Sequence, residues 1–307
     1  MKRFIFRARV LAGACAVLAA IGAPAGAQEP IDVLWFGNSF TNALCCGGTR
    51  SVPNIFNDIA VAAGHPQPRS RDASANGQGL QYHLTSNQIQ ITAALPAGSQ
   101  WEFVVLQDFS TLPTQIGNLA LHLSSSLALY QAVANHSPNV VPIMYETWAR
   151  APGHSFYAGL NPSFPGGPAQ MQQQLRDGYL ASTANINAAV GSDLARYAPV
   201  GDAWENAGFP LNLYAGDRYH AQNRGSLLNA LVIYGVIFQD HNLTAIDLST
   251  VVSRLGLTVA DGAAVAAIAQ ATLVPEPGAG ALAVIVLGAV AARRRRRTAA
   301  AEAARFC

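Results

Sequence analysis

The stretch IDVLWFGNSFT, residues 31–41, decides the fold of this chain. Its first six residues form a nearly continuous apolar run, which is typical of a parallel strand buried on both faces. Gly37 ends the run, so Ser39 is expected on a turn directly after a buried strand. Because open parallel sheets bind ligands at the carboxyl ends of their strands, this pattern places Ser39 where a ligand is expected.

Apolar runs and helical patterns alternate along the following residues. The other predicted strands are 68–73, 103–106, 140–145 and 197–203, of which the first is the weakest. The predicted helices are 52–63, 119–134, 169–190 and 224–238. This alternation predicts an α/β fold, with a parallel sheet covered by helices on both faces. Residues 244–273 form either two packed helices or a loose spacer.

Polar side chains follow three of the predicted strands. Asn38 and Ser39 follow the first, Gln107 and Asp108 follow a second, and Glu146 follows a third. Since the carboxyl ends of parallel strands share one edge of the sheet, we expect these side chains to converge there.

An acid and a histidine lie about 180 residues after Ser39, in the segment Asp217-Arg218-Tyr219-His220. A serine hydroxyl needs a base to become a nucleophile, and that base needs an acid to fix its tautomer. Ser39, His220 and Asp217 therefore predict nucleophilic catalysis. The alternative is that Ser39 only caps the helix that follows it.

The first 27 residues have the pattern of a secretory signal peptide. A basic start precedes the short apolar stretch 10–23, and Ala25-Gly26-Ala27 is a small-residue cleavage site. We therefore predict export with cleavage after Ala27, the alternative being an uncleaved anchor.

Three features follow one another near the C-terminus. Pro275-Glu276-Pro277 precedes the apolar segment 278–292, which precedes five arginines at 293–297. An apolar helix followed by a positive cluster is a stop-transfer pattern, which explains the arginines better than nucleic-acid binding does. Together, residues 274–297 resemble the PEP-CTERM sorting signal.

The PEP-CTERM resemblance implies a partner and a location. In that family an exosortase recognises the Pro-Glu-Pro motif, and the tail is thought to be removed. The resemblance implies transient anchoring in the inner membrane through the C-terminal helix, then transfer to the cell surface or extracellular matrix of a Gram-negative bacterium. Residues 28–243 would form the main domain, 244–273 its extension or spacer, and 298–307 a cytoplasmic tail.

The predicted mature domain is acidic, although the whole chain has a formal charge of +2. Between residues 28 and 275, nine arginines and no lysine stand against fifteen acidic residues, so the net charge is about −6. This balance offers no electrostatic basis for binding nucleic acid.

The four cysteines do not predict a disulfide framework. Cys15 leaves with the signal peptide and Cys307 lies beyond the tail helix, which leaves the adjacent Cys45 and Cys46. Adjacent cysteines rarely bond to each other, and no Cys or His lies nearby at the spacing of metal ligands. We therefore expect one large core without a long-range disulfide and without a metal.

Residues 31–238 resemble the SGNH, or GDSL-like, hydrolases. The block FGNSFT at 36–41 is similar to a branch whose first block reads Gly-Asn-Ser-Phe, and Asp217 with His220 matches the Asp-x-x-His block. The resemblance implies a flavodoxin-like, three-layer α/β/α fold with a five-stranded parallel sheet.

The same resemblance implies roles for the site residues. Ser39 would be the nucleophile, His220 the general base and acid, and Asp217 the residue that orients the imidazole. The oxyanion would bind to the backbone N–H groups of Ser39 and Gly77, with Gly79 as the alternative to Gly77.

This chain departs from the family in its third block, where an asparagine amide normally completes the oxyanion hole. Gln107 stands at the corresponding strand end. Its amide can donate in the same way, although the side chain is one methylene longer. A donor of this kind contributes roughly 3–4 kcal/mol in the transition state.

Asn38, Glu146 and Trp148 are the candidate substrate contacts, although packing is an alternative role for Glu146 and Trp148. The family implies a serine esterase or acyl hydrolase that cleaves carboxylic esters and needs no cofactor. The surface location favours O-acyl groups on carbohydrate or exopolysaccharide, with lipid esters as another substrate class. The alternative function is a non-catalytic carbohydrate-binding or matrix protein on the same scaffold.

Overall fold

A computed structural model describes residues 29–93, 95 and 98–274 of the chain. The predicted signal peptide lies outside these residues. So does the predicted sorting segment from Pro275 onward, including Glu276 and Pro277. Within the described part, no helix combines the length and the apolar character that are needed to cross a membrane.

The centre of the fold is a sheet of five strands in the order β2-β1-β3-β4-β5, all parallel to their neighbours. The strands are β1 (Asp32–Phe36), β2 (Arg69–Asp72), β3 (Phe103–Leu106), β4 (Val141–Tyr145) and β5 (Arg196–Ala198). The predicted α/β fold with a five-stranded parallel sheet is confirmed.

Helices cover the sheet on both faces. They are α1 (Ser39–Asn42), α2 (Val52–Ala62), α3 (Leu80–Ser86), α4 (Leu119–Ala134), α5 (Gly167–Val190), α6 (Val200–Asn206), α7 (Asn223–Phe238), α8 (Ser249–Arg254) and α9 (Val259–Leu273). The four predicted helices correspond to α2, α4, α5 and α7, with ends that differ by at most two residues.

Strand β1 separates two apolar cores. Val33 and Trp35 belong to a core with α2, α7 and α9, whereas Leu34 and Phe36 belong to a core with α3 and α4. Successive side chains of a strand point to opposite faces of the sheet. The continuous apolar run in β1 therefore reflects burial on both faces, and it fixes the position of the turn at Gly37.

One predicted strand, 197–203, is wrong beyond its second residue. Strand β5 ends at Ala198, and helix α6 begins at Val200. Pro199 lies between them and has no N–H to donate to a ladder. The Asp202 N–H donates to the Glu146 carboxylate at 2.9 Å, so this apolar segment turns into a helix over the end of β4.

Residues 244–273 form packed helices rather than a loose spacer. Val252 of α8 and Val265, Ala266 and Ala269 of α9 are buried in the core that contains α7. Helix α9 begins with a capping box. The Thr258 side chain accepts from the Asp261 N–H, and the Asp261 side chain accepts from the Thr258 N–H.

Candidate active site

The turn after β1 holds Ser39 in place through Asn38. The Asn38 side chain accepts a hydrogen bond from the Phe40 N–H at 3.0 Å and donates to the Gln78 carbonyl at 2.9 Å. The preceding residue, Gly37, has no space for a side chain, since a Cβ there would lie 2.8 Å from the Gln107 amide oxygen. The turn therefore requires glycine at 37 and fixes the backbone of Ser39.

The structure brings Ser39, His220 and Asp217 into one chain of hydrogen bonds. Ser39 Oγ lies 2.9 Å from His220 Nε2, and His220 Nδ1 lies 2.6 Å from Asp217 Oδ2. With the proton on Nδ1, the ring donates to the carboxylate and Nε2 accepts from the serine hydroxyl. This is the geometry that activates a serine as a nucleophile.

Several contacts fix the loop that carries Asp217 and His220. Asp217 Oδ1 accepts from the backbone N–H groups of Tyr219 and His220, both at 3.0 Å. Trp148 Nε1 donates to the Tyr219 carbonyl at 3.0 Å, and Arg218 adopts the left-handed region with φ of 67°. The loop thus orients the His220 ring from the backbone as well as from the carboxylate.

The Asp217 carboxylate is favoured in its charged form. Partial burial alone would raise its pKa, but hydrogen bonds from the His220 ring and from two backbone N–H groups outweigh burial, so its pKa lies below the ordinary value. Asp217 therefore stays ionised and can stabilise a protonated His220.

Ser39 and His220 face a cavity of about 500 Å³. The lining residues are Asn38, Ser39, Phe40, Cys45, Cys46, Asn76, Gly77, Phe109, Ser110, Arg150, Tyr219 and His220. Ser39 is partly exposed, so a ligand in this cavity can reach the hydroxyl.

Two backbone N–H groups at the cavity are available to bind an oxyanion. Neither the Ser39 N–H nor the Gly77 N–H has a hydrogen-bond acceptor within the described residues. Gly77 lies on the cavity wall with φ of 75°, which favours glycine. Gly79 does not line the cavity, and a Cβ there would lie 2.7 Å from Asp108 Oδ1, so Gly77 is the better candidate.

The predicted role of Gln107 requires correction. The side chain is fully buried and absent from the cavity wall. Its amide oxygen accepts from the Asn38 N–H and the Thr41 hydroxyl, both at 2.9 Å, while its nitrogen donates to the Asp108 carbonyl. Gln107 therefore braces the turn that carries Ser39, and its amide does not point to the oxyanion position.

Two of the three candidate substrate contacts also require correction. Glu146 is fully buried and accepts from Gln172 and from the Asp202 N–H. Trp148 is fully buried, stacked between Phe40 and Trp204 with ring centroids 4.3 and 4.4 Å away. Neither lines the cavity, whereas the third, Asn38, does.

Cys45 and Cys46, whose redox state the sequence leaves open, are bonded to each other, although adjacent cysteines rarely do so. Both residues line the cavity. A ligand atom of each cysteine and a His220 ring nitrogen lie within 4.8 Å of one another. As a disulfide, the pair offers no thiolate to a metal, and it forms a wall beside the predicted base.

Sequence reasoning missed a buried acid–histidine pair behind the site. Asp108 Oδ2 lies 2.9 Å from His122 Nδ1, and both side chains are fully buried. Asp108 Oδ1 accepts from the Leu80 and Phe109 N–H groups at 2.9 and 2.7 Å. Neither Asp108 nor His122 lines the cavity, so the pair ties α3 and α4 to the end of β3.

Sequence reasoning also missed Arg150, which lines the cavity and is 7 % exposed. Arg150 lies in the irregular segment after β4, five residues beyond Tyr145, the last residue of that strand. This closeness to a strand end is the one signal in the sequence that could have indicated it.

Comparisons with known proteins give matches in structure but not in sequence. No family model and no curated protein matches the chain. A solved protein from Slackia heliotrinireducens, named as a candidate SGNH hydrolase, is similar with a TM-score of 0.51 and 22 % identity, covering 68 % of this chain and 100 % of that one.

Two further solved structures share the fold. A DUF4886 family protein from Bacteroides uniformis has a TM-score of 0.58 at 16 % identity and covers 81 % of this chain and 96 % of its own. A family 3 carbohydrate esterase from Clostridium thermocellum has a TM-score of 0.50 at 14 % identity, with coverage of 69 % and 96 %. The sheet order and these neighbours together show that this chain has the fold of the SGNH hydrolases.

Proposed function

We propose that this chain is an exported serine hydrolase that cleaves carboxylic esters. The observation that carries the proposal is the hydrogen-bonded series of Ser39, His220 and Asp217 at the wall of an open cavity. A serine that only capped a helix would need neither an imidazole at 2.9 Å nor a carboxylate behind it.

The first half of the reaction forms an acyl-enzyme. Ser39 Oγ bonds to the ester carbonyl carbon while its proton passes to His220 Nε2. The carbonyl oxygen becomes an oxyanion, which the N–H groups of Ser39 and Gly77 stabilise. His220 then gives its proton to the leaving alcohol as the carbon–oxygen bond breaks.

The second half releases the acid. Water enters the cavity and loses a proton to His220 Nε2 as its oxygen bonds to the acyl carbon. The second tetrahedral intermediate collapses, the proton returns to Ser39 Oγ, and the carboxylic acid leaves. Asp217 remains ionised through both halves and stabilises the imidazolium that forms in each.

We propose an O-acylated carbohydrate, such as an exopolysaccharide, as the substrate class. The support is the predicted export and surface sorting by an exosortase through Pro275-Glu276-Pro277 and the C-terminal helix, which would place the enzyme beside such polymers. One structural neighbour is named a carbohydrate esterase, so the fold accommodates this chemistry.

Labelling with a fluorophosphonate tests the activity directly. Ser39 Oγ should attack phosphorus, fluoride should leave, and the proton should pass to His220, so peptide mass spectrometry should find the adduct on Ser39. The His220→Ala protein should lose the adduct while keeping its circular dichroism spectrum. A folded wild-type protein that neither labels nor hydrolyses 4-nitrophenyl acetate would favour the non-catalytic carbohydrate-binding alternative.

A further inference from the structure

A buried arginine forms part of the cavity wall beside Ser39 and His220. Arg150 is 7 % exposed and lines the same cavity as both residues. It is the one buried arginine among the described residues. Burial of a guanidinium is costly unless its charge is paired and its N–H groups have acceptors. The partners that the protein does not supply therefore indicate what a ligand could supply.

The protein compensates this charge only in part. The guanidinium lies over the rings of Tyr219, Phe40 and Phe156, with its central carbon 4.6, 5.6 and 5.7 Å from the ring centroids. Nη2 donates to the Ser110 hydroxyl at 2.9 Å. Nη1 is buried and has no hydrogen-bond partner within the described residues.

No carboxylate of the described chain pairs with Arg150. The ion pairs found there involve Arg50, Arg69, Arg176, Arg224, Arg254, His122 and His220. Asp217 lies close enough to favour the charged arginine, but its two oxygens bond to His220 and to backbone N–H groups. Arg150 therefore remains a cation in the cavity wall without an anion of its own.

Aromatic rings can accommodate the faces of a guanidinium, but they offer no acceptor to its edge. The edge donates in a planar fork that matches a carboxylate. The described domain is acidic overall, so an anionic ligand would gain little from its general field. A local cation at the cavity would supply the attraction that the domain surface does not.

We propose that Arg150 forms a subsite for a carboxylate of the substrate, so that the esters cleaved at Ser39 are those of acidic molecules. This inference rests on the proposed ester hydrolysis. Two sources supply this chemistry: the acyl group itself, as in a hemisuccinate, or the alcohol, as in an acetylated uronic acid. In either case Arg150 binds the substrate and determines specificity, while Ser39 and His220 carry out the reaction.

Two pairs of esters separate the sources and test the proposal. For the acyl side, 4-nitrophenyl hydrogen succinate is compared with methyl 4-nitrophenyl succinate. For the alcohol side, 4-acetoxybenzoate is compared with 4-acetoxybenzamide. We expect the wild-type full chain to prefer the anionic member of one pair by roughly 10- to 100-fold in kcat/KM, the range of a charge-assisted hydrogen bond.

The readout is the ratio of kcat/KM values within each pair, because this ratio is insensitive to a general loss of activity. Arg150→Met keeps an unbranched side chain without the charge and should bring the ratio close to one. Arg150→Lys keeps the charge without the planar fork and should keep part of the preference. Arg71→Met changes the net charge equally at an exposed position and should keep the wild-type ratio.

A binding measurement distinguishes failure of the subsite from failure of the proposed function. Saturation-transfer NMR on the Ser39→Ala protein should detect binding of succinate if the acyl group is the source, or of glucuronate if the alcohol is. Glucose should not bind, and adding Arg150→Met should abolish binding of the carboxylate.

The outcomes separate the two proposals. If wild type hydrolyses both members of each pair equally, the subsite is wrong and the function stands. If Ser39 fails to label but succinate or glucuronate binds through Arg150, the function is wrong and the subsite stands. An equal loss on all four esters in Arg150→Met would overturn the subsite.

Discussion

At the scale of single residues, the proposed chemistry depends on how Asp217 holds His220. Asp217 accepts three hydrogen bonds, one from the ring and two from backbone N–H groups. Its role is therefore to set both the tautomer of the ring and the shape of the loop. Replacing Asp217 by asparagine separates the two effects, because the amide oxygen can still accept from the backbone N–H groups while the negative charge beside the ring is lost.

Asp217→Asn should lower kcat/KM for 4-nitrophenyl acetate by about 10³- to 10⁴-fold, because a neutral amide cannot stabilise the imidazolium. The rate of fluorophosphonate labelling at Ser39 should fall with it. Asp193→Asn, at an exposed position, removes the same charge and is the matched control. A loss of less than tenfold would show that Asp217 does not support the base.

The same variant tests the lowered pKa of Asp217. A carboxyl group whose pKa is lower in the folded state stabilises the fold above its unfolded pKa, and this contribution disappears as the pH falls through the folded value. The wild-type advantage in unfolding free energy over Asp217→Asn should therefore shrink as the pH falls below the ordinary value of 3.8. Urea unfolding of both proteins at a series of pH values measures this difference in unfolding free energy. A difference that increased toward acid pH would contradict the lowered pKa of Asp217.

Gln107 gives a second prediction at this scale. Gln107→Ala removes the acceptor of the Asn38 N–H and the Thr41 hydroxyl, so the free energy of unfolding should fall by about 1–3 kcal/mol. Thr41→Val removes the hydroxyl that donates to the Gln107 amide oxygen. This variant should therefore also lower the free energy of unfolding. If Gln107 were an oxyanion donor, Gln107→Ala would instead lower kcat with little change in unfolding free energy.

The residues that the sequence could place at the candidate site are those that local spacing marks. Ser39 follows a buried strand, and Asp217 precedes His220 by three positions, so both patterns are visible in the chain. The direction of the Gln107 amide depends on Asn38 and Thr41, and the burial of Arg150 depends on rings from separate segments. Such long-range contacts leave no local pattern.

At the scale of elements, strongly apolar segments were predictable, whereas a short helix of mixed composition was not. Strands β1 and β3 and helices α4 and α7 are apolar in composition and lie where the sequence indicated. Helix α3 has only seven residues and was missed. The strand predicted through residue 203 failed because apolar composition alone does not distinguish a strand from a buried helix.

Gly201 explains why α6 can lie so close to β4 and α5. A Cβ at this position would overlap the Thr147 carbonyl and the Gln172 amide. Gly201→Ala should therefore lower the free energy of unfolding by about 1–3 kcal/mol, as overpacking does. Gly216→Ala is the control, since a Cβ there meets nothing within 4 Å. Equal midpoints of urea unfolding for the two variants would show that α6 does not pack as described.

At the scale of the whole molecule, the C-terminal helices decide where the cooperative unit ends. Helix α7 has twelve buried residues among its sixteen, and a helix that is apolar on all sides must be covered on all sides. The sheet, α2 and α6 cover part of it, and α9, with Ala266 and Ala269 in the same core, covers a further part. We therefore expect α9 to unfold together with the sheet rather than before it.

Two substitutions within α9 test this expectation. Ala269→Asp places a carboxylate in the core shared with α7 and should lower the free energy of unfolding by more than about 3 kcal/mol, because a buried charge without a partner is costly. Ala267→Asp places the same group two residues earlier, on the exposed side of the helix, and should change the free energy of unfolding by less than about 0.5 kcal/mol. Tryptophan fluorescence and far-ultraviolet circular dichroism should report one common transition in wild type. Equal stabilities for the two variants, or loss of helical signal ahead of the fluorescence change, would mean that α9 is a spacer and that the cooperative unit ends with α7.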